Sequence, residues 1–270
     1  MRIVNLASGS KANSTFVEYG LSKMLIDVGL NEKQLISRLE SIGEDIKNIL
    51  GICITHEHID HIRGVKTLAK KYDFDFYIKR ELAESDFFKD VTFKAGKLHK
   101  IDMEKFVIGE LEITPFEVSH DAIAPVAYVV NVSGSASKVG FITDVGVVSE
   151  NVKKHLKNTK MVFIESNYDE QMLYNGKYPY IVKKRIDSEK GHLSNIQSLE
   201  LAKFLFENGT KCFVLSHLSQ NNNTPEIAYS NYATYFEKQG IILDKEVFVR
   251  ISHQDKHGNN FNLKEDFNGK

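Results

Sequence analysis

The chain has 270 residues, 42% of them hydrophobic and 26% charged, with a formal net charge of -1. That is an ordinary globular composition, long enough for one large core or two small ones. Near-neutrality excludes a global field drawing the protein onto a polyanion, so any grip on nucleic acid must come from a local patch or from metal ions.

In chain order, RIVNLA, TFVEY and KMLIDVG read as the strands of a β-meander, the last two joined by a turn around Gly20. Leu35, Ile36, Leu39 and Ile42 give residues 31–42 a helical face, with Gly43 as its stop. ILGICIT (49–55) is expected as a strand, 59–71 as one helix and FDFYI (74–78) as a strand. Strands around KFVIG and LEITPFEVS follow, then APVAYVVNV and SKVGFITD as an antiparallel pair. From there helix and strand alternate through VSENVKKHLKN, MVFIES, a polar helical stretch, SNIQSLELAKFLFEN, KCFVLSH and TPEIAYSNYATYFEKQG. No linker divides the series and no solenoid period repeats in it. The expectation is a single α/β (α+β) domain over 1–252, two sheets back to back with helices outside both, and a polar C-terminal tail over 253–270 that frays. Cys53 and Cys212 lie in separate buried-strand patterns, which points to buried thiols, no disulfide framework and a reducing cytoplasm. The opening MRIVNLASGSKANS lacks the apolar centre of a signal peptide. No apolar run approaches the roughly 18 residues of a membrane span.

THEHIDH (55–61) follows a buried-strand pattern and sets His56, His58, Asp60 and His61 within six positions. Alternate residues of an extended segment face one way, so His56 and His58 can reach one ion. Asp60 and His61, at the turn into a helix, can reach a second. Imidazole and carboxylate suit a borderline divalent metal. Four residues cannot close two sites, and three more candidates stand where apolar runs end: His120 in EVSHD, Asp144 in GFITDVG and His217 in FVLSHLS. Asp144 is the natural bridge, one oxygen to each ion. Two divalent ions are expected, zinc first, with manganese or iron able to fill the same cage.

HEHIDH, then His120, Asp144 and His217 in that order, resemble the metal motifs of the metallo-β-lactamase superfamily. That resemblance implies a four-layer αββα sandwich. It places His56, His58 and His120 on one ion, Asp60, His61 and His217 on the other, and Asp144 between them. LASGSKANSTFVE, LIDVGL, VSHDAIAPVAYVV, ESNYDEQML, KYPYIVKKRI, KGHLSN and LSHLSQNNNTPEIAY extend the likeness over most of residues 1–230 to the YycJ/WalJ-like family. That family implies nuclease-type phosphodiester hydrolysis, with a 5′-to-3′ DNA exonuclease among its members. Di-iron redox relatives tend to carry Glu where this chain has His58, which argues against an oxidoreductase.

Two metals and a bridging water give a hydroxide at neutral pH and a clamp for a negative transition state, chemistry that serves thioesters, lactams and phosphodiesters alike. KGHLSN favours phosphodiesters. His192 is placed to protonate a leaving oxygen, and Ser194 with Asn195 opens a helix whose free N–H groups suit a phosphate. The segment is similar to the GHST segment of tRNase Z. Asp60 and His192 are the candidate catalytic residues. KYPYIVKKR mixes Tyr178 and Tyr180 with Lys177, Lys183, Lys184 and Arg185, a combination suited to single-stranded nucleic acid. SGSKANS (8–14) reads as a tight turn or as an anion-binding loop. The stretch between Asp144 and His192 is too short for an inserted β-CASP domain, and no Gly/Pro-rich tRNA-gripping arm is present. The expected substrate is single-stranded or end-bearing DNA, with no membrane partner and the oligomeric state open between monomer and dimer. The competing readings are a small-molecule hydrolase, of glyoxalase-II-like or cyclic-phosphodiesterase type, and a non-catalytic module that keeps its metals for structure.

Overall fold

A computed structural model describes residues 1–135 and 137–263. Its strands are β1 (Arg2–Ala7), β2 (Ser14–Tyr19), β3 (Ser22–Ile26), β4 (Gly51–Cys53), β5 (Asp75–Lys79), β6 (Leu98–Ile101), β7 (Phe106–Ile108), β8 (Leu111–Glu117), β9 (Val126–Val132), β10 (Val139–Ile142), β11 (Met161–Glu165), β12 (Cys212–Ser216), β13 (Phe248–Ile251) and β14 (Asn260–Asn262). Its helices are α1 (Glu32–Ser41), α2 (Ile59–Ile62), α3 (Val65–Lys71), α4 (Arg80–Ala83), α5 (Glu150–Leu156), α6 (Glu170–Asn175), α7 (Tyr180–Ile186), α8 (Asn195–Glu207) and α9 (Pro225–Lys238). Two seven-stranded mixed sheets form, in the orders β14-β1-β2-β3-β4-β5-β6 and β13-β12-β11-β10-β9-β8-β7. No helix among the described residues is long and apolar enough to cross a membrane.

The period-2 alternation of each strand sorts its side chains into layers. Ile3, Val17, Met24 and Ile26 of the first sheet meet Val130, Phe141, Met161, Phe163 and Val214 of the second in a core between the sheets. Their neighbours Val4, Phe16 and Leu25 turn outward onto Leu35, Leu39, Val65 and Leu68 of α1 and α3. On the other side Val162, Ile164, Phe213 and Leu215 pack on Val152, Leu201, Leu205, Tyr232 and Phe236 of α5, α8 and α9. The layers are helix, sheet, sheet, helix, as the sequence predicts. Cys53 and Cys212 are buried in the central layer, and neither is in a disulfide among the described residues. The meander and the β9–β10 antiparallel pair also form as expected.

Three differences have physical causes. The predicted helix over 59–71 is two helices, because neighbouring loops capture its first carbonyls. Asn13 N–H takes the Asp60 carbonyl and Val28 N–H the His61 carbonyl, while Gly64 N–H goes to Val28. The approach is close enough that a Cβ on Gly29 would sit 1.6 Å from the Asp60 oxygen. Strand β4 covers only three residues of ILGICIT, since Thr55 N–H leaves the ladder for the Asp27 carboxylate at 2.9 Å. Finally, the expected tail contains β14, which pairs antiparallel with β1, and its Phe261 and Leu263 enter the central core. Residues 264–270 of that tail lie outside the described residues.

Candidate metal centre

The site forms along one edge, where several strands end at the same level. Strands β3 and β4 run parallel, as do β10, β11 and β12. Asp27 follows β3, His56 and His58 follow β4, Asp144 follows β10, Glu165 ends β11 and His217 follows β12. His120 lies beyond β8. The two sheets are stitched here by the Tyr128 hydroxyl donating to the Ile54 carbonyl at 2.6 Å and by His217 N–H donating to Ser8 Oγ at 2.7 Å. Asp27, Asp144 and His217 have left-handed backbones, φ 59°, 59° and 56°. Non-glycine residues in that region carry strain of roughly 1–3 kcal/mol each, which the surrounding packing must offset.

The seven predicted ligands converge. Ligand atoms of His56, His58 and His120 lie within 4.8 Å of one another, as do those of Asp60, His61 and His217; His56, His61 and Asp144 form a third such group between them. The hydrogen bonds on the far side of each ring decide which nitrogen faces inward. Thr55 Oγ1 gives its single hydrogen to Asp27 Oδ2 at 2.8 Å, so His56 Nδ1 at 2.9 Å must donate to it. His61 Nδ1 donates to Asp27 Oδ2 at 2.8 Å, His120 Nδ1 to the Gly191 carbonyl at 3.0 Å and His217 Nδ1 to Glu165 Oε1 at 2.8 Å. Each of these four imidazoles therefore presents Nε2 to the centre. Outer acceptors of this kind fix ring orientation and raise ligand basicity in metal sites.

The fit of a divalent metal can be tested on the polar atoms left over. His56 Nε2, Asp144 Oδ2 and His217 Nε2 are buried without a hydrogen-bond partner among the described residues. An orphaned buried polar atom costs ~1–3 kcal/mol, so three of them meeting at one point call for a cation. The donor set, imidazole nitrogen with carboxylate oxygen, suits zinc, manganese or iron. The charges agree. Burial disfavours a charged His217, yet the carboxylates of Asp144, Asp60 and Glu165 push its imidazole up to about 10. His61 is likewise raised against its burial, by Asp144 and Asp27. Burial lowers His56 and His120. Half-buried Asp60 and buried Asp144 are held well below the carboxylate range by His217 and His61. The carboxylates thus favour positive charge at His61 and His217, where metal cations would supply it.

His192 sits on the rim, its side chain 20% exposed, with Nδ1 donating to Glu165 Oε1 at 2.9 Å. The other substrate candidates are distributed differently. Ser194 and Asn195 are buried: Ser194 Oγ caps α8, Asn195 N–H bonds the Tyr168 carbonyl, and Asn195 Oδ1 accepts from Ser166. They organise the helix terminus, the Ser194–Gln197 capping box and the Tyr168 carbonyl taking N–H groups that a phosphate would otherwise use. Lys183 donates to the carbonyls of Tyr174 and Gly176 at 2.7 and 2.8 Å. Arg185 pairs with Asp121, and the Tyr178 hydroxyl accepts from Asn221 at 2.8 Å. Lys184 remains on the surface, over the rings of Tyr174 and Tyr180.

Four functional residues escape a reading by local spacing. Asp27 orients His61 and, through Thr55, His56. Glu165, fully buried and held at about 2 by His192 and His217 against its burial, takes both of those rings on one oxygen. Its other oxygen accepts from Val145 and Leu193 N–H at 2.9 and 3.2 Å. Asn13 donates to Asp60 Oδ2 at 3.0 Å and lies 2.9 Å from His61 Nε2, which makes SGSKANS a wall of the site. Asp121 lies 3.3 Å from His120 Nε2. The signal for Asp27 and Glu165 was a carboxylate ending an apolar strand pattern, in KMLID and MVFIE, where an unpaired charge is costly to bury.

Comparisons with known proteins place the chain by family and by fold. The model of the family described as "Beta-lactamase superfamily domain" matches residues 23–217. The exodeoxyribonuclease WalJ of Streptococcus pneumoniae (strain D39) is 37% identical over 229 residues, 83% of this chain and 84% of that protein. The exodeoxyribonuclease YycJ of Bacillus anthracis is 34% identical over 238 residues, 87% of this chain and 89% of its own. Among solved structures, the metallo-β-lactamase fold protein YhfI of Bacillus subtilis superposes with a TM-score of 0.71 at 15% identity, over 96% of this chain and 98% of that one, a likeness of fold. The chain belongs to the β-lactamase superfamily and, within it, to the family of the WalJ and YycJ proteins.

Proposed function

We propose that this protein is a two-metal phosphodiesterase that degrades DNA from an end, in the 5′-to-3′ direction, with zinc as its first metal and the cytoplasm as its compartment. The observation that carries the reading is the pair of ligand groups joined at Asp144, with three buried inward atoms lacking a hydrogen-bond partner among the described residues. The names of the two sequence relatives supply the substrate class. When bound, two divalent ions supply an acidified water for attack and neutralise charge on the phosphoryl group. His56, His58 and His120 would hold one ion and Asp60, His61 and His217 the other, with Asp144 reaching both.

The remaining chemistry falls to the protein's own side chains. Glu165 holds the proton of His192 on Nδ1, which turns Nε2 toward the open side of the site. A proton carried on that Nε2 passes to the departing ester oxygen as the P–O bond breaks, and the ring returns to neutral. Asp60 is fixed by Asn13, so one of its oxygens keeps a constant position.

Digestion of 5′- and 3′-labelled single- and double-stranded DNA and RNA, with Zn²⁺ and Mn²⁺ supplied separately, tests this. Mononucleotides should appear from the 5′ end of DNA, and Asp60→Ala should abolish them while leaving the melting curve largely intact. Efficient hydrolysis of a thioester with every oligonucleotide intact would move the protein to the small-molecule hydrolases.

A further inference from the structure

Among the described residues α7 is the helix without a buried side chain. Tyr180 and Ile181 on it are 70% and 78% exposed, and Tyr174 at the end of α6 is 40% exposed. Exposed rings gathered in one place mark a binding surface more often than chance placement does. Here they are ordered. Lys184 Nζ lies 5.6 Å from the Tyr180 ring centre and 6.0 Å from that of Tyr174, within cation–π reach of both. Tyr180 and Lys184 are four residues apart on one helix face, so the helix period sets the row. Lys183 ties the corner between α6 and α7 to two carbonyls, and the Tyr174 hydroxyl donates to Asp187, which fixes that corner and the Tyr174 ring. At the other end of α7, Arg185 clasps Asp121, the neighbour of His120. Arg185, next to Lys184 in the chain, therefore ties the helix that carries the row to the rim of the metal centre.

We infer that Tyr174, Lys184 and Tyr180 form a stacking platform for single-stranded nucleic acid, bases lying on the two rings and Lys184 meeting a backbone phosphate. The inference rests on the nuclease reading and gives it a substrate form, an unpaired strand. Charge complementarity selects this occupant. Neither Lys177 nor Lys184 has a carboxylate partner among the described residues, so a polyanion gains contacts there. A second copy docked across a twofold axis on this face would set Lys184 against Lys184. Aromatic faces accept any base, so the platform binds without regard to sequence.

The test is steady-state kinetics of the metal-loaded full chain on oligothymidylates of increasing length, beside equilibrium anisotropy with the same strands and sedimentation velocity. For Tyr180→Ser, KM should rise roughly 5- to 150-fold, the range for one lost base stack, with kcat little changed. The gain in kcat/KM with strand length should flatten. Tyr180→Phe, which keeps the ring, should restore both. Lys184→Met should reduce the slope of log binding constant against log salt by about 0.7. Unchanged KM and length dependence in Tyr180→Ser, with Asp60→Ala still abolishing cleavage, overturns the platform and leaves the nuclease reading standing. Conversion of a dimer to a monomer by Tyr180→Ser overturns it in favour of a contact between copies. If the wild type cleaves no strand, the proposed function fails, and anisotropy still decides the platform: equal binding by wild type and Tyr180→Ser removes it.

Discussion

The strand-end edge and the α6–α7 rim solve opposite problems within one site. At the edge each of four ligand imidazoles has its outer nitrogen bonded, Glu165 and Asp27 are buried, and three ligand residues or their partners hold strained backbones. At the rim α7 buries nothing and presents rings and one free ammonium to solvent. Two-metal chemistry tolerates little misplacement, so its groups must be over-determined. A strand of arbitrary sequence has no fixed shape, and a surface that receives it does better with faces and charges than with locked donors. Substitutions should separate the two regions, metal and turnover failing at the edge and apparent affinity failing at the rim.

The largest effect belongs to Asp144. If it reaches both ions, purified protein should hold close to two metals per chain and Asp144→Ala should lose most of both, with cleavage gone. Elemental analysis checks this, and one tightly held ion unaffected by the substitution would break the comparison at its root.

Next come His192 and its anchor. His192→Ala should lower kcat by roughly 10²–10⁴-fold on an oligonucleotide, the usual range for a general acid, with metal content unchanged. A p-nitrophenolate leaving group needs little protonation, so most of the rate should return on such an ester. Glu165→Gln should lower kcat and also weaken metal binding by roughly 10–100-fold, since it orients His217 as well as His192. Equal rate losses on both substrates in His192→Ala would reduce that residue to a positioning role.

The smallest expected effect is a proton count. Neighbouring carboxylates raise His61 and His217, so metal binding at neutral pH should displace protons from them. Affinity at the ion held by Asp60, His61 and His217 should therefore fall as pH drops, by up to about two log units per pH unit while both rings stay protonated. Calorimetric titration in buffers of different ionisation enthalpy reads the released protons directly. Release near zero at pH 7 would mean that the carboxylates leave both rings neutral.

Much of this was legible in the chain itself. HEHIDH packs four candidate ligands into six positions because an extended segment followed by a helical turn aims them at one point, and that is local geometry. His120, Asp144 and His217 each stood where an apolar run stopped, so the edge of a sandwich could be read from strand patterns. The two thiols, the alternating layers and the compact core followed from the same period-2 rule.

Other features were decided only by contacts between distant segments. Ser8 receives the His217 N–H across 209 positions, Asp27 reaches His61 across 34, and Glu165 meets His217 across 52. No window of neighbouring residues contains such pairs. Asn13 and Val28 broke the helix after Ile62 by drawing out the carbonyls of Asp60 and His61, which an isolated helix would have kept. The basic segment shows the same limit: composition marked Lys183, Lys184 and Arg185 alike, but only Lys184 is left facing solvent between two rings. Composition sets which contacts a residue is able to make, and the fold decides which of them are still open.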